Sequence, residues 1–300
     1  MANWTANDIP DQTGRTFLVT GANSGLGYQT ARQLAQHGAH VVLTARTEAK
    51  GSAALAKIKA ERPGADLELR LLDLADLDSV RDFAGRLTED KVQIDVIVNN
   101  AGIMMPPRSL TKQGQESQFA TNHLGHFALT GLLLDSVTDR VVTVSSSLHR
   151  RGSIHFDDLT GERSYSPTDF YAQSKFANIL FGLELDRRLR AAGSPVRSLM
   201  AHPGYAATNL QSSGPTGLGK QLMKVGNAIM AQKAEMGALP QLYAATAPQA
   251  QSGQYIGPDR LGEMRGHPKV VHPIKSAQDP ATARRLWTLS EELTGVTYPI

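Results

Sequence analysis

The sequence predicts an α/β fold, a doubly wound parallel sheet within one domain, and three observations carry that reading. Short apolar runs of strand length recur along the chain, stretches with helical spacing separate them, and a glycine-rich turn follows the first run. The runs are TFLVT at 16–20, HVVLTA at 40–45, LELRLL at 67–72, DVIVNN at 95–100, RVVTVS at 140–145 and VRSLMA at 196–201. Their near-continuous hydrophobicity predicts strands buried on both faces, as in a sheet with helices on each side. Between them, residues 28–37, 47–61, 78–87, 116–134 and 170–190 carry apolar side chains at helical spacing. Such alternation winds as right-handed βαβ crossovers, which place the ligand crevice at the carboxyl ends of the strands.

After the sixth run the pattern changes. Residues 205–239 are glycine-rich and amphipathic, with Leu210, Leu218, Leu222, Met223, Val225, Ile229 and Met230 set among Lys220, Lys224 and polar residues. A short strand candidate follows at 253–257, then a turn-rich stretch with Pro258, Pro268 and Pro273, then a final helix at 280–293. The core is therefore expected over 14–204 and 253–257, with 205–239 as a substrate lid and 258–300 as a C-terminal extension. Trp4 and Trp287, near the two ends, read as surface or docking residues.

Composition removes several function classes. The net charge is +3, but Lys and Arg are scattered among acids, which argues against a nucleic-acid-binding arm. The chain has no cysteine, so disulfides, thiolate nucleophiles and Cys-ligated zinc are excluded. His123 and His126 are three apart without an evident third ligand, so they read as a packed helix face and no metal site is expected. No apolar stretch approaches the roughly 20 residues of a membrane span. The first residues, MANWTANDIPDQTGR, lack the charged and apolar regions of a secretory signal, so a cytoplasmic protein is expected. The Leu/Met stripe beside Lys220 and Lys224 leaves weak peripheral membrane contact open.

The turn TGANSGLG at 20–27 lies directly after a strand and before a helix, the context in which a Gly pattern binds phosphate. Gly21 can turn sharply out of the strand. Gly25 and Gly27 lack a β-carbon and would let the backbone approach a pyrophosphate at the helix N-terminus. The second strand ends Thr44, Ala45, Arg46, with no acid before Glu48. A carboxylate there would accept the ribose 2′-hydroxyl of NAD, whereas Arg46 can fork onto a 2′-phosphate, so NADP(H) is the expected cofactor.

Tyr171 and Lys175, four apart in YAQSK, share one face of a predicted helix. A phenol with an ordinary pKa near 10 is a poor base, and a neighbouring ammonium favours its ionised form. Upstream, RVVTV runs into Ser145, Ser146 and Ser147, where a hydroxyl at a strand end can orient a substrate oxygen or simply finish the strand. Asn99, Asn100, Ala101 and Gly102 end another strand at the same edge, either as a cofactor-facing turn or as an ordinary one.

Together these residues resemble the short-chain dehydrogenase/reductase family, a Rossmann-type fold, from Gly14 to about Thr208. The ordered set is TGANSGLG, NNAG at 99–102, Asn122 in TNHLGHF, VSS at 144–146, YAQSK and HPG at 202–204. The resemblance implies an oxidoreductase moving hydride between NADP(H) and a carbonyl or alcohol carbon, with a catalytic tetrad of Asn122, Ser146, Tyr171 and Lys175. In it Tyr171 is the acid/base, Ser146 polarises the substrate oxygen, Lys175 lowers the Tyr pKa and holds the ribose, and Asn122 orders a water toward the lysine.

The resemblance also implies a cofactor site of Gly21, Asn23, Ser24, Gly25, Leu26, Gly27 and Arg46, with Asp73 and Leu74 at the adenine. Asn100, Ala101 and Gly102, together with Tyr171 and Lys175, take the ribose side, and Pro203, Gly204 and Thr208 the nicotinamide side. A closer likeness is to the retinol dehydrogenase branch, with relatives among protochlorophyllide reductases. It rests on the long Ser146 to Tyr171 gap containing IHFDDL, on NILF at 178–181 and on HPGYAATNL at 202–210. With the apolar residues of the expected lid, this points to an apolar substrate, retinal-like or another aldehyde or ketone. Family likeness suggests pairing of copies through the helices containing Gly125 and Tyr171, and the C-terminal extension is a candidate to block it, so a homo-oligomer and a monomer both stay open. Two rival functions are a catalytically silent NADP-binding regulator, which needs no proton-transfer group, and a nucleotide-sugar epimerase or dehydratase, which needs a larger C-terminal domain.

Overall fold

The computed structural model describes residues 3–205 and 232–300. Along the chain run β1 Thr16–Val19, α1 Gly25–Gln36, β2 His40–Ala45, α2 Glu48–Glu61, β3 Leu67–Leu71, α3 Leu77–Glu89 and β4 Ile94–Asn99. Then come α4 Ser117–Phe119, a π-helical turn Ala120–Leu124, α5 Gly125–Leu133, β5 Val137–Val144, α6 Pro167–Ala191 and β6 Arg197–Ala201. The last described elements are α7 Ala234–Thr246, β7 Tyr255–Arg260, β8 Arg265–Val271 and α8 Pro280–Thr294. The strands form one sheet in the order β3-β2-β1-β4-β5-β6-β7-β8, parallel from β3 to β7. The switch point lies between β1 and β4, where such sheets open a ligand crevice.

The period of two in each strand explains the continuous apolar runs. Phe17, Val19, Val41, Leu43, Val96, Val98 and Val142 turn to one face, against Ala31 and Leu34 of α1, Ala54 and Ile58 of α2 and Ala238 and Leu242 of α7. Leu18, Val42, Ile97 and Val141 turn to the other, against Val80 and Phe83 of α3, Phe127 of α5 and Phe181 of α6. Both faces are dry, so neither can be polar. Helix α6 is fixed at its start by Pro167, whose missing N–H costs nothing at a first helical turn, and by Ser166, whose side chain accepts from the Asp169 amide.

Three expectations require correction. The stretch from 258 to 273 was expected as turns but forms the end of β7 and the antiparallel β8. Its prolines fit because β8 is an edge strand and β7 pairs with β6 only through Tyr255 and Ile256, which leaves Pro258 without a ladder partner on that side. Trp287 is not a surface residue. It is 2% exposed and lies 5.1 Å from Phe127, 5.9 Å from Phe181 and 4.5 Å from Tyr298, centroid to centroid, so α8 and the tail cover α5 and α6. Trp4 is half-buried, edge-on to Tyr243 at 5.3 Å. Of the expected lid, residues 234–239 belong to α7, where Ala238 packs in the core, and the Leu/Met stripe from Leu210 to Met230 lies outside the described residues.

Candidate active site

The glycine-rich turn leaves β1 through Gly21, at φ 64°, and enters α1 at Gly25, at φ 58°. Ser24 sits at the N-cap in extended conformation without a side-chain cap bond, and the first turn holds no acid. The leading amides of α1 therefore keep their donors for an anion, with Asn23, Ser24 and Leu26 half-buried around them. A β-carbon at Gly27 would lie 2.5 Å from Asn100 Nδ2 and 2.5 Å from the Gly21 carbonyl, so its bareness also seats α1 on the turn and the Asn100 side chain. Arg46 is exposed just past β2, and among the described residues no carboxylate pairs with it. An open helix terminus with an exposed guanidinium past the next strand fits a dinucleotide.

The turn after β4 is held by Thr20. Its hydroxyl accepts from the amides of Asn100 at 2.8 Å and Ala101 at 2.9 Å, and Asn100 Nδ2 donates to the Thr20 carbonyl at 2.7 Å. His126 Nε2 lies 2.9 Å from the same hydroxyl, and His126 Nδ1 lies 3.1 Å from the Asn122 carbonyl. Burial pushes His126 down to about 4 and His123 to about 3, so both are neutral near pH 7. His123 Nε2 bonds Ser290, so each histidine faces a hydroxyl of the fold. Asn122 sits in the π-helical turn, its Oδ1 accepting from the Ile103 amide at 2.8 Å and its Nδ2 donating to Ile103 and Ser174. Asp73 is half-buried and Leu74 buried on the adjoining loop after β3.

Serine, tyrosine and lysine meet where β5 ends against α6. Ser145 is buried and donates to the Lys175 carbonyl at 2.7 Å, which makes it a clamp between strand and helix. Ser146, half-buried, accepts from the Leu148 amide at 3.2 Å and lies close enough to the Tyr171 hydroxyl to oppose the rise in its pKa. Tyr171 and Lys175 are 5% and 3% exposed, with Lys175 Nζ 5.8 Å from the Tyr171 ring centroid and 3.3 Å from the Val144 carbonyl. A β-carbon on Gly102 would lie 3.0 Å from Asn122 Oδ1 and 3.5 Å from Lys175 Nζ, so the turn after β4 closes over both.

Burial pushes Tyr171 up to about 12, opposed by Ser146, while burial brings Lys175 down to about 8. The phenol therefore holds its proton at neutral pH.

Pro203 and Gly204 border the crevice from the loop after β6, where Gln232 Nε2 donates to the Pro203 carbonyl at 2.7 Å and Gly204 is at φ 67°. Thr208 lies outside the described residues. Sequence reasoning named His126 only as part of a packed helix face and passed over Thr20 and Gln241, the latter donating from α7 to Thr30 at 2.6 Å and to Asn100 Oδ1 at 3.1 Å. A buried-face reading of TNHLGHF pointed to His126, but nothing local in α7 marks Gln241.

A short chain dehydrogenase family model matches residues 15–217. Human "Retinol dehydrogenase 13" is 40% identical over 296 residues, covering 95% of this chain and 86% of the relative. A crystal structure of an uncharacterized protein from Mycobacterium Paratuberculosis is 46% identical, with TM-score 0.84 and full coverage of both chains. A structure named for an NAD(P)-dependent gluconate 5-dehydrogenase from Beutenbergia cavernae, with bound NADP at low occupancy, is 25% identical at TM-score 0.63, covering 82% of this chain and 96% of its own.

Proposed function

Since the chain belongs to the short-chain dehydrogenase family, in its retinol dehydrogenase-like branch, and is thereby an oxidoreductase of alcohol and carbonyl groups, we propose that it uses NADP(H) on an apolar aldehyde, ketone or alcohol. The observation that carries this reading is the buried pairing of Tyr171 with Lys175, where β5 ends in Ser146 and the Gly102 turn closes over Lys175 and Asn122.

Hydride transfer is the chemistry that a bound nicotinamide supplies. The protein holds the diphosphate with Gly21, Asn23, Ser24, Gly25, Leu26 and Gly27, Gly27 acting through helix packing. Arg46 takes the 2′-phosphate, Asp73 and Leu74 the adenine, Asn100, Ala101, Gly102 and Lys175 the ribose side, and Pro203, Gly204 and Thr208 the nicotinamide side. In carbonyl reduction, Ser146 donates a hydrogen bond to the substrate oxygen and Tyr171 Oη gives it the proton, a role suited to a phenol protonated at neutral pH. In alcohol oxidation Tyr171 must first ionise, and the Lys175 ammonium favours that form. Asn122 acts through its bonds to Ile103 and Ser174, which fix the turn after β4 against the lysine. The apolar residues of the 205–239 sequence and the name of the retinol dehydrogenase relative support an apolar substrate.

The test is oxidation of NADPH and of NADH with retinal, decanal and glyceraldehyde. The expected result is a preference for NADPH and for the two apolar aldehydes, and loss of the NADPH preference in Arg46→Asp. Equal kcat/KM for both cofactors in wild type and variant contradicts the NADP(H) assignment, and equal constants for decanal and glyceraldehyde contradict the substrate class.

A further inference from the structure

Behind Ser146 and Tyr171 lies a polar layer that the reaction scheme does not use. Ser146 caps a 3-10 turn at Ser147–Arg151, and Arg150 Nη2 from that turn donates to both oxygens of Glu263, at 2.9 and 2.8 Å. The Glu263 carboxylate also stands 3.2 Å from Nε2 of His202, the wholly buried first residue of the loop that carries Pro203 and Gly204. A β-carbon on Gly257 would collide with that imidazole, so the glycine of β7 makes room for His202. Tyr255 fills the remaining space, its ring 5.5 Å from His149 and 5.0 Å from His202.

The turn that carries Glu263 is held in an unfavourable shape. Leu261, Gly262 and Glu263 have φ of 51°, 63° and 67°, a left-handed run that disfavours two residues bearing side chains. Its anchors are the Tyr205 amide donating to the Met264 carbonyl at 2.7 Å and the Gly266 amide donating to Gln232 Oε1 at 3.1 Å. Partners on the carboxylate hold Glu263 down to about 2, so it is charged throughout the working range. An ion pair exposed on the surface would contribute little, but here the carboxylate joins two segments that each enter the active site.

We propose that Glu263 is a positioning residue: from the β7–β8 turn it ties the serine turn, through Arg150, to the loop after β6, through His202, and so sets the spacing of Ser146 from the Pro203–Gly204 side of the crevice. This rests on the reading of Ser146 and Tyr171 as the reacting pair. A displacement of about 1 Å between such groups lowers turnover about 100-fold without changing cofactor affinity.

The experiment compares wild type, Glu263→Gln, Arg150→Met, the double variant, Gly257→Ala and Tyr171→Phe. It reads NADPH turnover with decanal, NADPH affinity by fluorescence, Tm, and amide exchange at 147–151 and 202–205. Glu263→Gln should lower kcat about 10- to 100-fold, with NADPH Kd within about threefold and Tm within about 3 °C. Exchange should rise in both segments while that of β1 and β4 stays unchanged. Gly257→Ala, which displaces His202 without removing charge, should reproduce the kcat loss. The double variant should be no more than about threefold worse than the poorer single, as expected for two parts of one link.

A kcat within twofold of wild type, additive losses in the double variant, or a kcat loss matched by lost NADPH affinity and a large fall in Tm overturns the proposal. Tyr171→Phe separates the two levels. If it keeps wild-type turnover, the reading of the reacting pair is wrong; if it is inactive while Glu263→Gln turns over normally, only the clamp is wrong.

Discussion

Lys175 ties catalysis to pH in a way that the geometry quantifies. Its ammonium is buried, with the Val144 carbonyl at 3.3 Å, and burial lowers its pKa from 10.5 to about 8. About nine tenths of the lysine is therefore charged at pH 7 and about one tenth at pH 9. If the charged form supports proton transfer by Tyr171, kcat/KM for NADPH-linked carbonyl reduction is flat from about pH 6 to 7.5 and falls about tenfold by pH 9. The assay is NADPH absorbance at fixed ionic strength against decanal, for wild type, Lys175→Arg and Lys175→Met. Arginine stays charged throughout, so its break moves above about pH 9.5, while the methionine variant loses about 10²- to 10⁴-fold and shows no break near 8. A wild-type profile level to pH 9.5, or a break near 8 that persists in Lys175→Met, refutes the reasoning. The same depressed value is a stability cost. Between about pH 8 and 10.5 the unfolded chain holds this proton and the folded chain does not, so the cost of about 3 kcal/mol is full below pH 8 and is relieved as pH rises to 10.5.

Two further outcomes concern the scaffold. His123 and His126 are buried neutral with values near 3 and 4 against an ordinary 6.5, so their stability contribution is whole above pH 6.5 and is lost as pH falls toward those values. Melts at pH 7 and pH 5 should differ by about 4 kcal/mol from this pair, a difference that His123→Asn with His126→Asn reduces and that an unchanged slope in the double variant contradicts. At the other end of the strands Asp139 receives Arg15 at 2.5 Å, Arg140 at 3.0 Å and Arg197. Asp139→Asn should cost about 2 to 4 kcal/mol in urea denaturation, because Arg140 is left buried among like charges, and should leave KM unchanged.

What could be read from the chain followed from how local each cause was. HVVLTA coincides with β2 because a strand buried on both faces is a continuous apolar run, and the Tyr171–Lys175 pair was visible because the helix period sets them on one face, whereas Asn122 and the choice of Ser146 rested on the family resemblance. The start of β5 at Val137 was missed since Thr138 and Asp139 are polar for the sake of the ion cluster, a cause lying on other strands. Edge strand β8 was hidden by prolines that only its outer position permits. Trp287 is buried because Phe127, Phe181 and Tyr298, distant in sequence, form its pocket. The burial that raises the phenol was not legible for a related reason: spacing reveals the neighbouring ammonium but not the depth at which the pair sits.

The central claim is that Tyr171 Oη delivers the proton in a reaction beside a bound dinucleotide. Its most direct test is Tyr171→Phe, which removes one oxygen and keeps the ring, with single-turnover NADPH oxidation and NADPH binding measured on the same preparation. The rate should fall about 10²- to 10⁴-fold with NADPH affinity within about threefold of wild type. A variant that keeps more than a tenth of the wild-type rate contradicts that claim.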